Sequence, residues 1–301
     1  MRDAFVKSLM EVAKKDPNII LITGDLGFGV LDNFAKELPN QFVNSGVNEQ
    51  TMMGMAAGIA STGKRVFVYS IGNFPTLRCI EQIRNDVALM DNPVVVVSVG
   101  AGYSYGSQGY THHALEDIAI MRALPNMDVI IPCDPIETEL LTSQLAKSKK
   151  PSYLRLGKSN ETIFHGTKPS CEYGKFICFK EGSAGNILAV GSVISLALLA
   201  SKELESKGLN IGVYSVPYLS QIDIPKLSQI AKFGPIVTLE EHSYRGGFGS
   251  ALLEACAANE IKADVRIIAS DQKNLSQIGG QEFLRAENGI NLAKIIKIFT
   301  I

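Results

Sequence analysis

Short runs of β-branched residues alternate along this chain with stretches of helical periodicity. Four such runs lie in the first half, at residues 19–22, 66–70, 94–99 and 129–131. Gly, Pro and Asp bound these runs, as expected of buried strands, and apolar residues recur at helical spacing between them. This order predicts an α/β fold with a mostly parallel sheet that helices cover on both faces.

The periodicity fails between residues 149 and 173, where proline, glycine and polar residues accumulate. The alternation then restarts, with strands predicted at 187–190, 211–216, 236–240 and 265–268 and helices at 193–207 and 249–258. We therefore predict a first α/β domain over residues 1–165, a linker over 166–180, and a smaller α/β domain over 181–301.

The charges are balanced, with 29 Lys and Arg against 30 Asp and Glu and a formal net charge of −1. Without a basic excess, we expect neither nucleic acids nor membrane surfaces as partners. The apolar run at residues 93–97 is far shorter than the roughly 20 residues that cross a bilayer, and the first residues do not resemble an export signal. The five cysteines form no Cys-x-x-Cys pair, which argues against disulfides and zinc and favours a reducing cytoplasm.

Two loop motifs suggest chemistry that their context does not support. Residues 102–106 fit the G-x-S-x-G motif of serine hydrolases, with Ser104 as nucleophile, but that motif needs a strand-turn-helix context that is missing here. The adjacent His112 and His113 cannot both face one metal ion, and no ligand at i, i+4 accompanies them, so we assign no metal ligand to this chain. On the residues alone, solvation or helix capping is the simpler role for this pair.

A single acidic residue, Glu49, stands at the entrance of a run of small and apolar residues that ends at Ala60. The small residues are typical of a tightly packed helix. From the residues alone two interpretations of Glu49 are open. It is either a functional carboxyl group or an ordinary first-turn glutamate that the helix macrodipole favours.

Several motifs resemble, in type and in order, those of the transketolase family. They are Glu49 with its small-residue helix, YSIGNF at 69–74, GYTHH at 109–113, RALPNM at 122–127, VTLEEH at 237–242 and GGFGS at 246–250. The resemblance covers nearly the whole chain. It implies that residues 1–165 form the pyrimidine-binding domain of thiamine diphosphate enzymes and that residues 181–301 form the transketolase C-terminal domain.

The resemblance also implies thiamine diphosphate as cofactor, which carries the difficult chemistry while the protein orients it. Glu49 matches the glutamate that activates the cofactor at N1′ of its aminopyrimidine ring. Tyr69 and Phe74 would flank the pyrimidine, with plain core packing as the alternative, and Asp25 would lie near the cofactor at a dimer interface. His112 matches the histidine that contacts the substrate oxygen and assists proton transfer.

The expected substrate contacts depart from the family pattern. Lys158 falls near the position of a basic residue that contacts substrate phosphate, with a solvated lysine as the alternative. Gln108 stands where transketolases often have an Asp that binds a sugar hydroxyl, and Gly100 stands where they have a phosphate-binding His. These departures argue against a standard pentose phosphate substrate.

The family signature for Mg²⁺ and diphosphate, Gly-Asp-Gly followed further along by Asn, does not occur in this sequence. We therefore expect the C-terminal subunit of a split transketolase, active only with an N-terminal subunit that holds the metal and diphosphate, in a dimer of heterodimers. The expected reaction transfers a two-carbon ketol unit from a ketose to an aldose. The beta subunit of a 2-oxoacid dehydrogenase, a 1-deoxyxylulose-5-phosphate synthase-like enzyme and a non-catalytic scaffold are the alternatives.

Overall fold

The computed structural model describes residues 1–300 and has two β-sheets. The first sheet has six parallel strands in the order β2-β1-β3-β4-β6-β5. Its strands are β1 (Ile19–Thr23), β2 (Phe42–Asn44), β3 (Arg65–Ile71), β4 (Val94–Val99), β5 (Asp128–Ile130) and β6 (Ser152–Leu156). All six strands run in one direction, so their carboxyl ends meet at one edge of the sheet, where α/β proteins place their ligands.

Six α-helices accompany this sheet. They are α1 (Arg2–Ala13), α2 (Asp32–Glu37), α3 (Glu49–Ala60), α4 (Ile80–Gln82), α5 (Asp117–Arg122) and α6 (Pro135–Lys147). One buried cluster joins Met52 and Met53 of α3 to Val68 of β3, and a second joins Phe5 of α1 to Phe67. Since neighbouring strand residues point to opposite faces, α3 and α1 cover opposite faces of the sheet.

The second sheet has five strands in the order β11-β10-β8-β9-β7, with β7 antiparallel to β9 and the other pairs parallel. Its strands are β7 (Ile177–Lys180), β8 (Asn186–Val190), β9 (Gly212–Ser215), β10 (Ile236–Ser243) and β11 (Val265–Ser270). Its helices are α7 (Ile194–Ser206), α8 (Ile224–Ile230), α9 (Phe248–Ala258), α10 (Gln281–Glu287) and α11 (Leu292–Phe299). The predicted fold, two α/β units with a mostly parallel first sheet, is confirmed.

The two sheets share a core. The backbone of Ile131 donates a hydrogen bond to the Pro217 carbonyl at 2.8 Å, and Leu219 donates to the Val129 carbonyl at 3.0 Å. One buried cluster includes Val129 of β5 as well as Val190 and other residues of the second sheet. The C-terminal unit is therefore packed directly on the edge strand β5.

The structure corrects three predicted segments. Residues 152–156 lie in the region where periodicity failed, but they form the buried strand β6, in which the charged Arg155 interrupts the apolar run. Residues 177–180, predicted as the end of the linker, form the antiparallel edge strand β7. The apolar residues at helical spacing between the predicted strands 66–70 and 94–99 lie partly in a π-helix, Ile83–Leu89, rather than in an α-helix.

Within residues 1–300, no helix is both long enough and apolar enough to cross a membrane. All five cysteines are unpaired, and Cys178 alone among them is exposed. The prediction that the cysteines form no disulfide framework agrees with this arrangement.

Candidate active site

Glu49 is the first residue of α3, at the carboxyl-end edge of the first sheet. Only 5% of its surface is exposed, because Met52, Met53 and Ala56 on the same helix anchor α3 in the core. Its Oε2 atom accepts a hydrogen bond from Nη1 of Arg78 at 2.8 Å. Within residues 1–300, its Oε1 atom makes no hydrogen bond. The carboxyl group is thus held at one oxygen and available at the other.

Arg78 also connects Glu49 to two aromatic side chains. The Arg78 guanidinium carbon lies 4.7 Å from the centre of the Phe74 ring, within the range of a cation–π contact. The Phe74 ring meets the His112 ring edge-on, with 5.3 Å between their centres. The structure therefore brings Glu49, Phe74 and His112 together through Arg78, a residue that the sequence analysis did not identify.

His112 lies on a glycine-rich segment, residues 100–113, which we call the His112 loop. Gly102 and Ala114 close its base with two backbone hydrogen bonds of 3.1 and 3.0 Å. The side chain of Asn73, next to Phe74, donates to the His113 carbonyl at 2.6 Å. The loop is therefore fastened to the segment that carries Phe74.

The two neighbouring histidines have different surroundings. His112 is partly exposed, and its Nδ1 lies 3.0 Å from the Thr111 hydroxyl. His113 is buried between the rings of Tyr103 and Tyr110, at 5.2 and 6.5 Å between ring centres. Burial lowers the pKa of His113, which favours its neutral form. His112 alone of the pair is accessible for chemistry, whereas His113 is part of the loop's packing.

Tyr69 is separated from this group. It lies on the face of the sheet that α1 covers, and its ring stacks near Phe5 with 6.1 Å between ring centres. Burial raises the pKa of its hydroxyl. Because Glu49 belongs to α3 on the other face, the expectation that Tyr69 flanks the pyrimidine beside Phe74 does not fit. Core packing, the alternative role, accounts for this residue.

Asp25 follows β1 at the same edge of the sheet and is exposed, with a positive φ of 56°. Its backbone N–H donates to the side chain of Asn44 at 2.9 Å, and the Asn44 amide donates back to its carboxylate at 3.1 Å. Asn44 also accepts from the backbone of Gly46, three residues before Glu49. Asp25 is thus tied to the segment that leads into α3.

Two of the predicted substrate positions, Gly100 and Lys158, lie against the ring of Tyr105, which the sequence analysis did not identify. Gly100 has a φ of 97°, and a Cβ atom there would overlap with Cε2 of Tyr105. The Tyr105 ring therefore lies over the position where a side chain at residue 100 would project. Lys158 is exposed, with its Nζ atom 5.0 Å from the centre of that ring. Gln108 is exposed at the end of a short turn of the His112 loop.

Ser104 does not have the setting of a nucleophile. It lies inside the His112 loop rather than at a strand-to-helix turn, and its hydroxyl donates to the Ala101 carbonyl at 2.7 Å. Its remaining side-chain partner is the amide of Gln281 at 3.2 Å. These contacts do not support the serine hydrolase alternative.

Within residues 1–300, one group of side chains has the composition of a metal site: Cys133, Glu137 and His165, whose potential ligand atoms lie within 4.8 Å of one another. Glu137 already accepts hydrogen bonds from the Cys133 backbone at 2.8 Å and from the Ser215 hydroxyl at 3.1 Å, and its other oxygen lies 3.0 Å from Nε2 of His165. Burial raises the pKa of the Cys133 thiol, which disfavours the thiolate that binds metals. Hydrogen bonding around the start of α6 accounts for this group.

Comparison with known families identifies both domains. The family model described as "Transketolase, pyrimidine binding domain" matches residues 1–162, more than half of the chain. The chain belongs to the transketolase family. The model described as "Transketolase, C-terminal domain" matches residues 174–286. Transketolases depend on thiamine diphosphate, and the candidate active site lies in the domain named for binding its pyrimidine ring.

Two of the similar proteins are transketolase subunits of comparable length. A subunit of the apulose-4-phosphate transketolase of Phocaeicola vulgatus is 34% identical over 299 residues, which span 98% of this chain and 95% of that protein. The "6-deoxy-6-sulfo-D-fructose transketolase subunit SqwH" of a Clostridium species is 30% identical over 99% of this chain and 92% of that protein. This transketolase therefore has the extent of a C-terminal subunit of a split enzyme, as predicted.

A solved structure described as "Split gene transketolase, inactive beta4 tetramer" superposes with a TM-score of 0.90 at 32% identity. The match covers 99% of this chain and 96% of that one. Both domains therefore have the arrangement found in a split transketolase.

Proposed function

We propose that this transketolase chain binds the aminopyrimidine of thiamine diphosphate and that a separate N-terminal subunit holds the diphosphate and Mg²⁺. The observation that carries the proposal is the carboxyl group of Glu49, fixed by Arg78 at Oε2 and open at Oε1, beside Phe74 and His112. Val47, which is 75% exposed, leaves apolar surface close to Glu49 in the chain. Apolar surface next to an oriented carboxyl group suits a flat heteroaromatic ring.

When bound, thiamine diphosphate supplies the carbanion that breaks and forms carbon–carbon bonds of sugars. Glu49 would share a proton with N1′ of the pyrimidine through Oε1, while Arg78 keeps the carboxyl group oriented. Phe74 would contact the ring, and Asp25 would lie near the cofactor where another subunit approaches. His112 would exchange a proton with the substrate oxygen, since it is the accessible histidine of the site.

The substrate that we propose is a ketose donor with an anionic group, from which a two-carbon ketol unit passes to an aldose. Lys158 is exposed beside Tyr105 and would attract the anionic end, and Gln108 would bind a sugar hydroxyl. The two named relatives act, according to their names, on a sugar phosphate and a sulfo-sugar, which are both anionic. Because Gly100 has no side chain and Tyr105 lies over it, the phosphate contact that transketolases make through a His at this position would be missing here.

Two observations support the need for a partner. The Mg²⁺ and diphosphate signature is missing from this sequence, and the solved relative, a tetramer of beta subunits, is described as inactive. We propose a dimer of heterodimers located in a reducing cytoplasm, an environment that agrees with five unpaired cysteines. Mg²⁺ would be bound mainly by oxygen ligands of the partner, since this metal prefers such ligands.

The proposal is tested by comparing the chain purified alone with the native complex isolated from its source. We expect cofactor binding and ketol transfer in the complex and neither in the isolated chain. Turnover of a ketose by the isolated chain would refute the partner requirement. A donor screen separates the alternatives: transfer of an acyl group to a lipoyl carrier would identify a 2-oxoacid dehydrogenase, and condensation with pyruvate a 1-deoxyxylulose-5-phosphate synthase-like enzyme.

A further inference from the structure

We propose that Glu241, on β10 of the C-terminal domain, is a positioning residue that fixes the His112 loop and thereby the orientation of His112. This inference rests on the proposed role of His112 in proton transfer. It assigns to the C-terminal domain a direct part in shaping the candidate active site.

The carboxylate of Glu241 enters the base of the His112 loop. It is 3% exposed, and its Oε1 accepts a hydrogen bond from the backbone of Tyr103 at 2.7 Å. Gly102 makes this approach possible, because its φ is 58° and a Cβ atom there would overlap with Cγ of Glu241. A side chain at residue 102 would therefore displace the carboxylate, so the loop and Glu241 depend on each other.

Glu241 is itself held in place from the C-terminal domain. Arg285 on α10, also 3% exposed, donates to Oε2 at 2.6 and 3.0 Å through two nitrogen atoms. The side-chain amide of Gln281 lies 3.0 and 3.1 Å from the two carboxylate oxygens and 3.2 Å from the Ser104 hydroxyl. The two charge-assisted contacts with Arg285 hold one carboxylate oxygen, and Gln281 links the carboxylate to the loop.

A second contact holds the other end of the loop. The Gly279 backbone donates to the Gly106 carbonyl at 3.2 Å, and the side chain of Ile278 lies against Gly109. Gly106 has no room for a Cβ atom, which would overlap with the Gly279 carbonyl oxygen. The C-terminal domain therefore contacts the loop on both sides of Tyr105 and just before His112.

The loop needs this support because of its composition. It contains glycine at positions 100, 102, 106 and 109, and glycine loses more conformational entropy on ordering than any other residue. Asn73 fastens only the end near His113. Without Glu241, the backbone of Tyr103 would lose its hydrogen-bond partner in the C-terminal domain, and His112 would no longer keep one orientation beside Phe74.

The test uses the full chain with Glu241→Gln, which keeps the shape of the side chain but removes its charge and leaves Arg285 without this anionic partner. The chain has four histidines, so their imidazole resonances can be followed separately by NMR. We expect the resonances of His112 and His113 and the backbone amide of Tyr103 to move, while His165, hydrogen-bonded to Glu137, keeps its wild-type shifts.

The matched control is Glu254→Gln. Glu254 pairs with Arg122 across the same two domains, but it is exposed and does not touch the loop. The inference is overturned if folded Glu241→Gln shows His112 and His113 shifts no larger than those of Glu254→Gln. If Glu241→Gln does not fold, Gln281→Ala, which leaves the Glu241–Arg285 pair intact, is held to the same criterion.

In the reconstituted complex, Glu241→Gln should lower kcat/KM on the order of tenfold without changing cofactor affinity, because small displacements of a catalytic group are costly. Different results would refute the role of His112 and the positioning role of Glu241. If the loop resonances move but His112→Ala retains full activity, the role of His112 is refuted and the positioning by Glu241 stands. If His112→Ala loses activity but the loop resonances do not move, only the positioning role is refuted.

Discussion

His112 and His113 are neighbours in the chain, yet only one of them is available for proton transfer. His112 is partly exposed and touches Phe74, whereas His113 is buried between two tyrosine rings with a lowered pKa. Chemical type alone does not distinguish these residues. Their different surroundings follow from the turn of the His112 loop, which directs the first imidazole to Phe74 and the second into the core.

For His112→Ala we expect kcat/KM of the complex to fall by about 10²- to 10⁴-fold, the usual contribution of a general acid–base group. Cofactor affinity should not change, because Glu49 and Phe74 remain in place. Tyr110 lies on the same loop, and its hydroxyl donates to Glu116 at 3.0 Å. Tyr110→Phe removes only this hydroxyl and is therefore the matched control. Steady-state kinetics with the native partner measure both variants, and unchanged kinetics for His112→Ala would refute its role.

The sequence allowed part of this site to be predicted residue by residue. Glu49, Phe74 and His112 come together as the family resemblance implied, although their roles stay predictions. Arg78 was missed because a half-exposed arginine after a strand gives no periodic signal. Contrary to expectation, Tyr69 does not lie beside Phe74. The alternation of side chains along a strand predicts its actual position, because Tyr69 shares a face with Phe67, opposite to that of Val68.

Among the secondary-structure elements, strand β10 places two titratable side chains in the core next to α9. Glu240 accepts hydrogen bonds from the backbone of Phe248 at 2.6 Å and Gly249 at 2.8 Å, at the start of that helix. Burial raises the pKa of Glu240 from its ordinary value of 4.5 to about 7. Burial also lowers the pKa of His242 to about 4. The strand therefore holds both groups in their neutral forms over much of the acidic range.

The raised pKa of Glu240 predicts a pH dependence of stability. Between pH 4.5 and 7 the folded state binds more protons than the unfolded chain, so the unfolding free energy falls as pH rises through this window. Glu240→Gln mimics the protonated group and does not titrate. The unfolding free energy of the wild type minus the unfolding free energy of Glu240→Gln should therefore fall by on the order of 1–3 kcal/mol as the pH rises from about 4.5 to about 7.5.

Urea unfolding of both proteins at several pH values measures this difference. His242 titrates in both proteins, so its contribution cancels in the subtraction. A difference that stays constant or grows with pH would contradict the assignment of a raised pKa to Glu240.

Strand β6 shows why some elements escaped prediction. It carries Arg155, which is buried and donates to the buried carboxylate of Asp117 on α5 at 2.7 Å and to the Glu241 carbonyl at 3.0 Å. A charged residue in a short run argues against a buried strand unless its partner is known, and that partner is 38 residues away in sequence. The strongly β-branched strands β1, β3 and β4, in contrast, were predicted correctly from their composition.

In the molecule as a whole, the second domain both packs on the first and supports its site. The backbone hydrogen bonds at β5 join the two units, and Glu241 reaches from the C-terminal domain into the His112 loop. Local sequence patterns predicted the two units but not their contact, since it depends on residues far apart in the chain. The chain nevertheless lacks a recognisable diphosphate and Mg²⁺ signature, which is why we propose a second subunit.

The proposed activation of thiamine diphosphate by Glu49 changes one observable rate, the hydrogen–deuterium exchange at C2 of the bound cofactor. NMR of the reconstituted complex follows this exchange, and the exposed Glu81→Gln on the neighbouring α4 serves as control. Replacing Glu49 should cost no more than about 1 kcal/mol of stability, because its partner Arg78 is half-exposed. We expect Glu49→Gln to slow exchange by at least about 10²-fold while Glu81→Gln does not. Exchange at the wild-type rate in Glu49→Gln would contradict the activating role of Glu49.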